Sequence, residues 1–211
     1  FDVFKEKNSI DDLIKNQKLN YISYYKKYND TNLYNGNAII NSLDDTPEYS
    51  YTIWYQKNQI IEISITKPDF EDGGLREDYY FKSIGNVFCY QYLNISYPNG
   101  IGGNRATFFL NDDNQIIKEN YETKYNEVYN NTDKKIFIEQ NLNEKIVFNK
   151  NLNDVLKFYG LEESLDKINQ ASSQGSVEDE NIKPFDEIQL TLTDATIKKA
   201  KIYLGEPDKY E

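Results

Sequence analysis

Residues 49–65 read Tyr-Ser-Tyr-Thr-Ile-Trp-Tyr-Gln-Lys-Asn-Gln-Ile-Ile-Glu-Ile-Ser-Ile. Tyr49, Tyr51, Ile53 and Tyr55 alternate with Ser50, Thr52, Trp54 and Gln56. After Lys57-Asn58, Ile61, Ile63 and Ile65 form one side of a return segment. A period of two sends alternate side chains to opposite faces, so the stretch predicts a β-hairpin packed on one side. The tetrapeptide Asn58-Gln59-Ile60-Ile61 recurs as Asn114-Gln115-Ile116-Ile117, with Gly85-Asn86-Val87-Phe88 between them. Asn58, Asn86 and Asn114 are spaced by 28 residues, and an aromatic segment precedes each: Ile53-Trp54-Tyr55, Tyr79-Tyr80-Phe81 and Thr107-Phe108-Phe109-Leu110. A fixed period marks repeated supersecondary units, here one hairpin each. The series extends to a fourth copy, Ile136-Phe137-Ile138 returning through Asn141–Asn143 to Ile146-Val147-Phe148. It also extends back to Asn35-Gly36 between apolar flanks, a tight-hairpin signature.

Outside this series the period changes. Residues 3–27 read as helix, with Ser9 and Asp12 as a capping-box-like start, Lys26 and Lys27 at the end, and a break near Asn20. Residues 151–170 return to helical spacing. Leu152, Val155, Leu156 and Tyr159 share a face, Asn151 or Asn153 is the N-cap, and Gly160 is the stop. Leu165 and Ile168 belong to a second short helix. Residues 171–183 are small, polar and acidic and read as a linker or mobile loop. Residues 184–211 follow as a strand (Ile188, Leu190, Leu192) with a short helix or hairpin, docked on the main domain. The expected fold is α+β: one domain over 1–170, built on an antiparallel meander of about eight to ten strands over about 33–149, with helices at both ends.

Composition narrows the chemistry. The 211 residues carry 24 Lys+Arg and 35 Asp+Glu, a net charge of −11, with no His, no Met, one Cys and 31 aromatics. Without His there is no Ser-His-Asp or Cys-His nucleophile system and no imidazole zinc site. Cys89 alone forms no intramolecular disulfide and reads as a small buried hydrophobe. Paired carboxylates, a Lys or Tyr base, or a hard cation held by oxygens are what remain. The acidic balance opposes phosphate neutralisation, so no nucleic-acid partner is expected. No apolar run reaches the length of a membrane-spanning helix. The chain opens on Phe1 and lacks Met, which fits a mature product in an extracytoplasmic location (secreted, periplasmic or lipid-anchored), with the cytoplasm as the alternative.

Aromatic density is the one feature with a binding flavour, and two loops hold further candidate positions. The loop Pro68–Asp78 gathers five carboxylates around Gly73-Gly74. Asp69, Glu71 and Asp72 are its candidate Ca²⁺ ligands, although the EF-hand pattern fails and a solvated acidic hairpin loop is the simpler reading. No other cofactor is expected. The glycine-rich connection 98–104 is a candidate rim. Aromatics fall on both faces of each hairpin, and one face must be core. The other offers Trp54, Tyr51, Tyr55, Tyr80, Tyr90, Tyr92 and Phe109 as a platform for a protein or carbohydrate, unless a helix or second sheet covers it.

The run Phe108-Phe109-Leu110-Asn111-Asp112-Asp113-Asn114-Gln115-Ile116-Ile117-Lys118 resembles the hairpin repeats of small extracytoplasmic proteins and lipoproteins of AT-rich, Bacteroidetes-like bacteria. It is more distantly similar to MORN-like antitoxin and immunity proteins. The likeness covers about 33–149; the MORN glycine pattern is missing, and no functional residue carries over. Three functions follow as expectations. The first is a non-enzymatic extracytoplasmic binding protein using an aromatic sheet face. The second is an acidic immunity or inhibitor protein that masks a basic toxin. The third is a His-independent carboxylate hydrolase.

Overall fold

In the computed structural model, which describes residues 2–36, 47–69, 73–96, 102–125, 128–140 and 146–173, the chain begins with α1 (Val3–Lys15). There follow β1 (Asn20–Lys27), β2 (Tyr34–Asn35), β3 (Pro47–Gln56), β4 (Gln59–Asp69), β5 (Gly73–Phe81), β6 (Val87–Ser96), β7 (Gly102–Leu110), β8 (Ile116–Tyr125) and β9 (Val128–Asn131). The helices α2 (Lys134–Gln140), α3 (Leu152–Tyr159) and α4 (Glu163–Ser173) close the described part. Nine strands make one antiparallel sheet in the order β2-β1-β3-β4-β5-β6-β7-β8-β9. From β3 onward each strand pairs with its chain neighbour, so the expected meander is present within an α+β fold.

The repeat specifies more than turns. Between Trp54↔Glu62 and Tyr55↔Ile60 the register shifts, leaving Ile61 as an extra residue on β4. The same shift leaves Phe88 extra on β6 and Ile117 extra on β8. Three hairpins thus carry a β-bulge at the same end, next to the turn. A bulge sets two successive side chains on one face: Ile60 and Ile63 join one core, while Ile61 packs in the other and Glu62 stands opposite Tyr80 of that other core. The β5–β6 and β7–β8 turns have identical bonding. Gly85 N–H donates to Lys82 O (2.8 Å) and Asn114 N–H to Asn111 O (3.1 Å), while Lys82 N–H reaches Asn86 O and Asn111 N–H reaches Gln115 O. Asn114 (φ 59°) therefore corresponds to Gly85 (φ 82°), one residue off the even spacing of the asparagines.

The two faces differ. One carries the rows Ile22-Ile53-Ile63-Tyr79-Tyr90-Phe108 and Tyr24-Tyr51-Ile65-Glu77-Tyr92-Ala106-Tyr121. Phe137 of α2, Val155, Leu156 and Tyr159 of α3, and Ile168 of α4 pack on it. The other face carries Tyr21-Trp54-Glu62-Tyr80-Cys89-Phe109-Lys118, and Val3 and Ile10 of α1 cover its middle. Next to that row runs one made only of polar residues: Ser23, Thr52, Ser64, Asp78, Gln91, Thr107 and Asn120.

Several boundaries correct the sequence reading. Residues 20–27 are strand, not helix. α1 starts at the N-cap Asp2, whose Oδ1 accepts from Phe4 N and Lys5 N, so Ser9 lies mid-helix. It ends at Gln17 (φ 53°), where Gln17 N–H donates to Ile14 O and Lys18 N–H to Leu13 O. That pairing is a Schellman termination with glutamine in the left-handed position where glycine is usual. The expected fourth hairpin is absent over 134–140, which form α2. Asp133 caps it by accepting from Lys135 N, and only Phe137 of Ile136-Phe137-Ile138 is seen to turn inward, Ile136 being 49 % exposed. Residues 146–149 form neither helix nor strand, though Ile146 and Phe148 still pack against the core. Asn151 and Gly160 (φ 68°) cap α3 as expected, and α4 continues through 173, past the expected start of the linker. The return arm after Asn35-Gly36, the turn 141–143, residues 98–101 and everything from 174 lie outside the described residues.

Candidate functional site

α1 and two of the three bulges build a groove at the turn end of the sheet. Ile61 and Phe88, the extra residues of two bulges, form its floor with Ile10 and Leu13 of α1 and Leu19 before β1. Ile84, at the tip of the β5–β6 turn, is its lip and is 73 % exposed. The volume is about 410 Å³, and the rim carries Glu6 and the ion pair Lys82–Asp112. Close in sequence to two of its lining residues stands an aromatic pair. Tyr21 lies two residues beyond Leu19, Trp54 two before Gln56 of the groove wall, and their rings stand 5.0 Å apart. On the other side of the β5–β6 turn a wider space of about 1000 Å³ is lined by the carboxamides of Gln56, Asn58, Gln59, Asn86, Asn151 and Asn153.

Beside the groove lies a buried carboxylate pair. Glu62 is 1 % exposed and Asp78 2 %, and both reach Ser64. The single Ser64 hydroxyl proton goes to Asp78 Oδ1, the nearer acceptor. Arg76 Nη2 donates to Ser64 Oγ at 2.9 Å and Arg76 Nε to Asp78 Oδ1 at 2.8 Å. Ser64 Oγ therefore has no proton left for Glu62 Oε1, 3.4 Å away, and that contact is a hydrogen bond only if Glu62 carries the proton. Burial, and then the charge of Asp78, push the Glu62 carboxyl up to about 8, which agrees. Glu62 Oε2 has no partner among the described residues. Tyr80, opposite Glu62, ties this pair to α1: its hydroxyl donates to Asp11 Oδ1 at 2.9 Å, and Lys7 Nζ sits over its ring and donates to Asp11 Oδ2.

The opposite face holds a second acid. Glu77 Oε1 accepts from Tyr90 at 2.6 Å and from Tyr79 at 3.4 Å, and Glu77 Oε2 accepts from Tyr159 of α3 at 2.6 Å. Buried tyrosines need acceptors, so Glu77 supplies what three core aromatics lack and fastens α3 to the sheet.

The expected site residues divide. Tyr51, Tyr80, Tyr90 and Phe109 are at most 4 % exposed and are core side chains, because helices cover both aromatic faces. Tyr55 and Tyr92 are half-buried against the three-helix core, and half-buried Trp54 stands beside Tyr21 on the α1 face. Of the acidic stretch 68–78, Glu77 and Asp78 are not in a loop but on opposite faces of β5. Asp69 ends β4, and Glu71 and Asp72 lie outside the described residues. Among the described residues no three acidic or thiol groups converge as cation ligands, and no helix is long and apolar enough to cross a membrane. Glu62 and Ser64 were missed. They occupy the polar positions of Ile-Glu-Ile-Ser-Ile and read as solvent-facing; the signal was Asp78 and Arg76 in the partner strand. In comparisons with known proteins, no family model, curated protein or solved structure matches the chain.

Proposed function

We propose that the protein is a non-enzymatic, extracytoplasmic binding protein whose contact surface is the groove between α1 and the bulged hairpin ends, extended by Tyr21 and Trp54. The observation that carries this reading is the groove's construction: an apolar floor, a charged rim and an exposed Ile84 lip. Such a surface suits the apolar side chain of a protein partner, framed by polar contacts. A carbohydrate is the alternative ligand, through the amphipathic rings of Tyr21 and Trp54. The test is a random-peptide phage selection on the intact chain. Binders should lose affinity by about tenfold or more on Ile84→Asp, the loss of one anchor contact. Peptides that bind wild type and I84D equally would place the contact surface elsewhere. Fractionation of the source cells tests location, and recovery in the cytoplasm overturns that part.

The net charge of −11 favours a second reading, an acidic immunity or inhibitor protein that masks a basic toxin. Its partner's association rate should fall steeply with ionic strength, whereas groove binding by apolar contact should not. A carboxylate hydrolase has less support: the Ser64 hydroxyl occupies the space between Glu62 and Asp78 that a scissile bond would need.

A further inference from the structure

Glu62 is a buried acid facing a helix that is held by little. The clamp on α1 consists of Val3 and Ile10, with Ile14 partly buried, Phe4 against Phe109 at 4.4 Å, Lys118 over the Phe4 ring, and the Tyr80–Asp11–Lys7 contacts. Asp78, Arg76 and Tyr80 of β5 and Lys7 and Asp11 of α1 are the charged and titratable groups that act on Glu62; Cys89 lies one strand further, and Trp54 faces it from β3. The geometry points to α1 as a proton-gated cover: a neutral Glu62 lets the helix dock, and loss of the proton releases it and bares Ile61, Tyr80, Phe88, Cys89 and Phe109.

With Glu62 ionised, three carboxylates (Glu62, Asp78, Asp11) share two cations, Arg76 and Lys7, beneath the helix. Of the charges α1 brings, Asp11 opposes ionisation of Glu62 more than Lys7 favours it. Lifting α1 removes that opposition and lets water reach the unpartnered Oε2. The ionised form therefore prefers the released state, and each pH unit between the ordinary carboxyl value and about 8 favours release by about tenfold, with no further gain above it. The cover depends on proton linkage alone, whatever the groove binds.

The chain holds its own reporters, one Cys and one Trp. Cys89 is fully buried under α1, and Trp54 is the cross-strand partner of Glu62. Alkylation of Cys89 by iodoacetamide is timed from about pH 5.5 to about pH 9.5, each rate divided by that of the urea-unfolded chain at the same pH. Wild type should lose protection by about tenfold per unit from about pH 6 to about pH 8 and level off above it, with Trp54 emission changing over the same range and the far-ultraviolet circular dichroism unchanged apart from one helix. Glu62→Gln, neutral at every pH, should keep constant protection within about twofold. Asp11→Asn should show weaker protection at neutral pH and a shallower pH dependence. Equal loss of protection in wild type and E62Q overturns the proposal. So does constant protection in wild type, or loss of protection together with the sheet signal. If E62Q does not fold, an unchanged pH dependence in D11N overturns it by itself.

Discussion

Glu62 sets a pH dependence of stability whose sign follows from where its proton is held. The ordinary carboxyl value is 4.5, and in the fold it rises to about 8. Folding takes up a proton between those limits. The group's favourable contribution is complete below the lower limit and is lost as pH rises through the upper one. The difference in unfolding free energy between wild type and Glu62→Gln should fall by about 1.4 kcal/mol per pH unit across that window, with E62Q the more stable at about pH 9. Urea titrations at several pH values read this directly, and parallel curves for the two proteins would refute it. Alternation alone did not make Glu62 visible as a buried acid; only the pairing of its strand with Arg76 and Asp78 hints at it. Alternation set it opposite Ile63 and Ile65, as in the fold, but also opposite Ile61, which the bulge turns to the same face as Glu62. What covers that face is a long-range matter, decided by a helix nearly fifty residues earlier in the chain.

Elements were legible where local chemistry is unambiguous and misread where an unusual residue does a common job. The Asn151 cap and the Gly160 stop of α3 follow the usual preferences and were placed. The end of α1 was not, because Gln17 occupies a left-handed position that announces itself only as glycine or asparagine. Tyr21, Ser23 and Tyr25 alternate with Ile22, Tyr24 and Lys26 as cleanly as the later strands, yet Ile22 with Tyr25 also fits helical spacing. The termination supplied the decision. Gln17→Gly should relieve the strain at no loss of contact and raise the stability by about 1 kcal/mol, allowing for the greater freedom of glycine in the unfolded chain. Thermal melts check this, and a lower midpoint for Q17G would mean that the Gln17 side chain makes a contact worth more than the strain.

At the scale of the molecule the described residues cover the sheet unequally, with three helices on one face and one on the other. Leu156 of α3 is 1 % exposed in the larger core. Leu156→Ala should cost about 2–5 kcal/mol through lost transfer energy and a residual cavity, read as a lower urea midpoint with little change in slope. The hairpin series over 49–118 was legible because period-two alternation and turn residues agree three times over. The covering helices on the carboxyl side were legible from their own periodicity. What escaped was which aromatics they would bury: Tyr51 and Tyr90 carry the same local pattern whether a helix or water lies above them. α2 escaped because seven residues give too few repeats to tell 3.6 from 2.

The bulges impose a counting rule on any change to this sheet. Side chains in a strand alternate, so each bulge is a change of parity, and Ile61, Phe88 and Ile117 reset the count at the same end of three hairpins. Residues between a bulge and the far end of its strand can be added or removed in pairs without moving any other side chain to the wrong face. A single deletion on that stretch, or the deletion of the bulge residue itself, exchanges the faces of everything on one side of it. For β4 that exchange would send Ile63 and Ile65 into the polar row and Ser64 under the three helices. One-residue and two-residue deletions on that stretch should therefore separate sharply into unfolded and folded variants.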